Sequence, residues 1–308
     1  MSKKKFQKPF IKWVGGKTQM IEKIMEKFPR EMENYHELFL GGGSVLLALL
    51  TLKKNDKIKI KKKIYAYDFN SSLINTFDQI KKNHEKVFRD ICSLIKEFEG
   101  IPINTLGQRG KPKNINESTY KNSRENYYYW IRDKYNACEK NDTMAAAYFI
   151  FLNKTGFRGM YREGKKGGFN IPYGLKDTKK IPKIADENIL KNVSLLIQEV
   201  EFIHADFEVS IKKIKRGDFV YLDPPYAPEK KNSFVGYTES GFNLEKHQKL
   251  FSEIKKFNEK NTKFLMSNAN VELVFENFEN YNREEIIARR AINSKNPGKK
   301  AKELFIYN

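Results

Sequence analysis

Short apolar runs recur along the chain, too far apart for hairpins. "HELFL" (36–40), "IYAYD" (64–68), "VEFIHAD" (200–206), "DFVYLD" (218–223) and "KFLMSN" (263–268) read as buried strands of a mostly parallel sheet. "EEIIA" (284–288) and "ELFIYN" (303–308) would close it as an antiparallel pair. Helix-period patterns lie between them, as in "KTQMIEKIMEKF", "SVLLALLTLKK" and "LEKHQKLFSEIKKF". Strands alternating with helices predict a doubly wound α/β fold.

The alternation fails between about residues 72 and 182. There the pattern is helical ("HEKVFRDICSLIKEF", "ENYYYWIRDKY", "MAAAYFIFLNK"), with Gly-rich loops "GQRGKPKN" and "REGKKGGFNIPYG". The expected organisation is a discontinuous α/β domain, 1–71 with 183–308, and an inserted helical domain over 72–182. The Lys-rich tract "LKKNDKIKIKKK" (52–63) reads as a solvated linker or turn. No internal repeat is visible.

Composition changes the picture in one respect, charge. The 308 residues hold 58 Lys and Arg against 38 Asp and Glu, a net +20. A polyanionic partner accounts for that; so does the Lys-, Asn- and Ile-rich bias of A/T-rich coding, and charge alone leaves the two level. Aromatic rings among basic residues in "NYYYWIRDKY" and "TGFRGMYR" tilt the reading toward nucleic acid. Mean hydropathy is -0.67, no apolar run reaches membrane-spanning length, and "MSKKKFQKPFIKW" lacks an apolar signal core. Cys92 and Cys138 are too few for a disulfide framework or a thiolate zinc site. The expectation is a soluble, cytoplasmic chain with no membrane partner and no metal.

Two glycine segments invite a ligand. "WVGGKTQM" (13–20) ends like a phosphate-binding P-loop, but that pattern needs glycine at position 11, where Ile11 stands. "ELFLGGGSVLLALL" (37–50) runs an apolar strand into Gly41, Gly42 and Gly43, and a helical pattern opens at Ser44. Glycines there admit close backbone approach, and Asp68 ends the next strand where a ribose-binding acid belongs. A nicotinamide cofactor and S-adenosylmethionine fit equally, and a ligand-free tight turn also satisfies the pattern.

"YLDPPYAP" (221–228) discriminates between them. Proline cannot donate to a sheet ladder, so the strand stops at Asp223, at the edge where α/β sheets bind ligands. An exocyclic amine such as adenine N6 delocalises its lone pair into the ring. Two acceptors on its hydrogens, the Asp223 carboxylate and the Pro224 carbonyl, would localise that pair. Pro225 stiffens the corner and Tyr226 offers a face on which a base can stack. Methylation at a ring carbon would instead need a cysteine nucleophile, and neither cysteine follows a proline or ends a strand. An ordinary Asp-Pro turn is the bland alternative.

Taken together, these motifs resemble the Dam-type (alpha-class, D12 group) DNA adenine-N6 methyltransferases over nearly the whole length. "FIKWVGGK", "ELFLGGGS", "YAYDFN", "FLNKTGFRGMYR" with "GGFNIPYG", and "YLDPPYAP" follow the family in order, as do "SFVGYTESGFNLEKHQKL", "LMSN" and "RRAINS" downstream. The resemblance implies a Rossmann-like S-adenosylmethionine-dependent methyltransferase sheet of about seven strands, with the helical insertion as target-recognition domain. It implies that Trp13 and Lys17 line the methionine end of S-adenosylmethionine, Lys17 meeting its carboxylate. Gly41 to Gly43 would give it backbone contacts, Phe39 and Ser44 complete the glycine-loop contacts, Asp68 holds the ribose, Asp206 with Phe207 flank the adenine, and Asp223 touches the cofactor as well as the target base.

On double-stranded DNA, Phe157 aligns with the family's aromatic wedge and Arg162 with its guanine-reading arginine. Lys12 would read or position the guanine before the target adenine, and Met160 and Pro172 would touch a thymine methyl. Arg158 belongs to the same DNA-binding turn, at a position where the family often carries Asn. The implied reaction is methyl transfer to a flipped adenine in a GA-containing site, GATC leading, by a monomer, in a setting that includes restriction–modification. Cytosine N4 methylation and a catalytically silent DNA-binding protein are the alternatives.

Overall fold

A computed structural model describes residues 6–101, 115–164, 167–175, 181–227, 242–289 and 300–308. The "GQRGKPKN" loop, Pro228, residues 233–241 of the "SFVGYTESGFNLEKHQKL" motif and "RRAINS" beyond residue 289 lie outside the described residues.

The strands are β1 (Glu31–Met32), β2 (Tyr35–Glu37), β3 (Lys59–Ile60), β4 (Ile64–Asp68), β5 (Val200–His204), β6 (Phe219–Leu222), β7 (Lys263–Ala269), β8 (Asn282–Arg289) and β9 (Lys300–Tyr307). Seven of them form one sheet in the order β5-β4-β2-β6-β7-β9-β8. The first five of that order run parallel, and β9 is antiparallel to both β7 and β8. The expected α/β architecture and its closing pair are both present. The helices are α1 (Ile21–Glu26), α2 (Ser44–Lys54), α3 (Ser71–Glu99), α4 (Arg124–Ala137), α5 (Thr143–Thr155), α6 (Glu187–Leu196), α7 (Phe207–Ser210), α8 (Leu244–Glu259) and α9 (Glu272–Asn277).

The chain divides into two compact units: Met1–Gly16, Gly41–Gly43 and Asn70–Gln198; and Lys17–Leu40, Ser44–Phe69 and Glu199–Asn308. The second holds the sheet. Its central strand β6 shows why the apolar run was continuous: both faces are covered. Val220 and Leu222 join Phe251 and Ile254 of α8 in one core, while Phe219 and Tyr221 pack their rings on Phe28.

The first unit is helical. Asn70, Ser123, Asp142 and Asp186 each accept a backbone N–H at a helix start, which is why these four helices begin where they do. Helix α3 joins two helical halves across Asn83, whose backbone (φ -155, ψ 57) is not helical. Helix α5 packs along α3, and the small buried Ala145, Ala146 and Ala147 suit a close approach.

Two local readings change. The tract 52–63 is no simple linker: Leu52 to Lys54 finish α2, and Lys59–Ile60 pair in parallel with Glu31–Met32. Ile58 and Ile60 share one buried face, a period-two signal swamped by the lysines around it. The tyrosines of "NYYYWIRDKY" are not a stacking surface. Tyr127, Tyr128, Tyr129 and Tyr135 are all buried; Tyr127 packs on Phe98 and Phe151, and Tyr128 donates its hydroxyl proton to the Ile171 carbonyl at 2.8 Å. They are core residues of the helical unit, so their proximity to lysine and arginine says nothing about nucleic acid.

Candidate active site

Parallel strands deliver whatever follows them to a common edge. Glu37 of β2 pairs with Ala66 of β4 and Tyr221 of β6, and the strand order reverses at β2. The segments after β2 and β6, with Asp68 at the end of β4, therefore emerge together at a topological switch point.

Asp223 directly follows β6. Pro224 behind it is buried, Pro225 exposed and Tyr226 half-buried. The Asp223 Oδ2 atom lies 2.7 Å from Lys17 Nζ, with the side chains 19% and 4% exposed. Burial raises the Asp223 carboxyl above its ordinary pKa, and the Lys17 ammonium opposes that rise. The same ammonium stands 5.0 Å from the centroid of the Tyr226 ring. Lys17, which the family resemblance assigns to the cofactor carboxylate, places its ammonium on the Asp223 carboxylate. Ser44 opens α2, and its hydroxyl accepts the Lys17 backbone N–H at 3.2 Å.

A second carboxyl stands beside this pair. Glu37 is fully buried, and its Oε2 accepts the Tyr35 hydroxyl proton at 2.6 Å; the two share a strand face two residues apart. Burial, then the charges of Asp223 and Asp68, push the Glu37 pKa up to about 8 against the opposing Tyr35 bond. The sign follows from linkage: between its unfolded and folded pKa values the folded chain holds a proton that the unfolded chain has lost. Glu37 therefore stabilises the fold fully below about pH 4.5, and that contribution is lost as pH rises to about 8. Its slope approaches about 1.4 kcal/mol per pH unit within that window. Glu37→Gln keeps the acceptor for Tyr35 and removes the titration. Urea unfolding from pH 5 to 8.5 should show a flatter profile in the variant; parallel profiles would contradict a protonated Glu37.

Asp206 starts α7. Its Oδ1 accepts the Glu208 N–H at 3.2 Å and its Oδ2 pairs with Lys246 at 3.1 Å. Phe207 is buried rather than presented at the surface. Its ring groups with Phe39 at 6.1 Å and with Phe242 at 5.6 Å, a third aromatic ring that the sequence motifs did not single out.

In the helical unit, Trp13 stacks on Tyr161 with ring centroids 5.9 Å apart. A Cβ at Gly41 (φ +51) would lie 3.0 Å from Trp13 Cδ1, and one at Gly42 would lie 2.9 Å from Trp13 Cβ. The Trp13 side chain thus imposes glycine at both positions before any ligand is considered.

One side chain ties Lys12 to the turn that carries Phe157, Arg158 and Met160. Asn153, buried at the end of α5, accepts the Lys12 N–H at 2.9 Å and donates to the carbonyls of Lys12 at 2.7 Å and Gly159 at 3.0 Å. Gly159 (φ +67) has no room for a side chain, since its Cβ would meet Lys12 Cβ at 2.7 Å. Phe157 is 42% exposed and donates its N–H to the Pro172 carbonyl at 2.9 Å. Arg158, in left-handed backbone (φ 57), lays its guanidinium 5.2 Å from the Phe157 ring centroid. Arg162 is exposed and donates from Nε to Asn170 Oδ1 at 2.8 Å. Lys12 and Pro172 are exposed and Met160 half-buried. Asn153 escaped the sequence reading because an asparagine near a helix end signals a cap, whereas its partners lie 141 and six positions away.

The family model of the D12 class N6 adenine-specific DNA methyltransferases matches residues 13–292. A type II methyltransferase, M.MjaIII of Methanocaldococcus jannaschii, is 36% identical over 98% of this chain and 99% of its own. The type II methyltransferase M1.LlaDCHI of Lactococcus lactis subsp. cremoris is 30% identical, covering 98% and 95%. A DNA adenine methylase of Haemophilus influenzae is 29% identical, covering 96% and 91%. The chain belongs to the D12 class of N6 adenine-specific DNA methyltransferases. It is accordingly an adenine-specific DNA methyltransferase, with S-adenosylmethionine dependence and a DNA substrate implied by the family. No helix among the described residues is long and apolar enough to cross a membrane.

Proposed function

We propose that this enzyme methylates N6 of an adenine flipped out of double-stranded DNA, within a GA-containing site of which GATC is the leading candidate. The observation that carries the reading is Asp223-Pro224-Pro225-Tyr226 at the end of β6, beside the switch point and paired with Lys17. The Asp223 carboxylate and Pro224 carbonyl accept the two amine hydrogens, and Tyr226 presents a face to the extruded ring. After transfer, Asp223 takes the proton that the methylated nitrogen sheds, and its raised pKa improves it as a base.

The carboxylates Asp68 and Asp223, whose charges both reach Glu37 at the sheet edge, suit a cationic donor. When bound, S-adenosylmethionine supplies an electrophilic methyl on a sulfonium. Trp13, Lys17, Phe39, Gly41 to Gly43, Ser44, Asp68, Asp206 and Phe207 are the residues assigned to hold it. Residues 72–182, with Lys12, are assigned to reading DNA. The type II naming of two relatives supports a modification role beside a restriction enzyme.

Mapping methylated bases at single-nucleotide resolution tests the reading, because it reports product and site together. N4-methylcytosine would overturn the reaction, and sites lacking GATC would overturn the candidate sequence. The +20 charge adds an expectation: affinity for duplex DNA should fall steeply and linearly with the logarithm of salt concentration. A salt titration with a slope near zero would assign the charge to coding bias.

A further inference from the structure

Tyr226 is held from outside its own motif. Its hydroxyl donates to Glu303 Oε2 at 2.7 Å, across 77 residues of chain. Glu303 lies on β9, opposite Ala269 of β7, and is nearly buried. Next to it in the ladder, Asn268 accepts the N–H of Ala227, the residue after Tyr226, at 3.2 Å. The antiparallel return of β9 thus brings an acid from the far end of the chain to the catalytic corner, and β7 pins the backbone just beyond it.

We propose that Glu303 is a positioning residue for methyl transfer: by capturing the Tyr226 hydroxyl it fixes the direction of the axis of the ring on which the target adenine stacks. A tyrosine hydroxyl has one proton to give. Asp223 and Glu303 both stand close enough to act on Tyr226, and burial with these two carboxylates holds its hydroxyl in the protonated, donating form. The 2.7 Å hydrogen bond goes to Glu303, while Asp223 pairs with Lys17. The hydroxyl lies on the ring axis, so this bond fixes where the axis points, while Lys17 sits against the ring. Small misplacements of reacting groups cost up to about 100-fold in rate, so the anchor should register in kcat and not in DNA affinity.

This inference rests on the stacked, flipped adenine proposed above, and the experiment separates the two. Glu303→Gln, Glu303→Ala, Tyr226→Phe and the Glu303→Ala/Tyr226→Phe pair would be compared in single-turnover methylation at saturating DNA and cofactor. A duplex carrying 2-aminopurine at the target position reports extrusion. Glu303→Ala and Tyr226→Phe should each slow transfer about 10- to 100-fold with KM for DNA within about threefold. Glu303→Gln, which keeps an acceptor, should stay within about threefold, and the double variant should be no slower than the slower single variant beyond about twofold.

Multiplying losses, a wild-type rate in Glu303→Ala, or equal damage from Gln and Ala would overturn the proposal. Should Glu303→Ala fail to fold, Tyr226→Phe at the wild-type rate overturns it alone. A wild-type enzyme that leaves 2-aminopurine fluorescence unchanged on binding would instead refute base flipping, while the rate coupling still decides the anchor.

Discussion

Asp223→Asn should lower kcat by about 100- to 10,000-fold, the range seen when a positioned acid–base group is lost. The amide keeps an oxygen that accepts from one amine hydrogen, but it cannot take the proton that transfer releases. Since the carboxylate acts chiefly in the transition state, kcat and kcat/KM should fall together, with cofactor affinity changed only a few-fold.

Asp223→Ala is the harsher change, because Lys17 is buried and its ammonium pairs with this carboxylate. Removing one partner of a buried ion pair costs about 3–5 kcal/mol, from the charge left uncompensated. The alanine variant should therefore lose stability as well as turnover. Adding Lys17→Met to Asp223→Ala should recover much of the stability and none of the activity. Thermal midpoints and single-turnover rates on the same preparations separate the two effects. Near-normal turnover in Asp223→Asn would end the proposed chemistry, and no stability gain from Lys17→Met would deny the ion pair its weight.

Arg162→Ala should relax discrimination at one guanine by about 1–3 kcal/mol, the worth of a bidentate base contact. The structure refines how such a contact would form. Asn170 accepts from Arg162 Nε, and the Asn170 N–H donates to the Arg162 carbonyl at 2.9 Å. With Nε so engaged, the end-on pair Nη1 and Nη2 is the edge for guanine O6 and N7. Asn170→Ala should then produce a weaker form of the same relaxation, since it frees the guanidinium without removing it. Methylation of GATC duplexes and of duplexes with one pair changed at a time measures both variants. If every sequence weakens alike, Arg162 meets phosphate and not a base edge.

Much of this enzyme was legible from local pattern. A strand buried on both faces, such as β6, must be apolar throughout, so "FVYL" announces itself without its neighbours. Proline's missing N–H ends that strand at Asp223 wherever the sheet lies. The capping residues Asn70, Ser123, Asp142 and Asp186 act within three residues, yet the helical pattern located α3 only from His84, short of its start at Ser71. Such signals need only a few adjacent residues, and the order of the motifs along the chain carried the family.

What escaped depends on pairs distant in sequence. Lys17 meets Asp223 and Tyr226 meets Glu303, because strand order and the register of β9 bring them together; no periodicity encodes a register. Asn153 joins Lys12 to Gly159 for the same reason. Burial, too, was decided by packing: the tyrosines of α4 look like a nucleic-acid surface until Phe98 and Phe151 cover Tyr127. Composition and spacing thus determined the chemistry the chain could attempt. Only the tertiary structure decided which charge pairs with Asp223, which acid holds Tyr226, and which aromatic rings stay exposed, because desolvation and hydrogen-bond geometry depend on neighbours that the local sequence does not name.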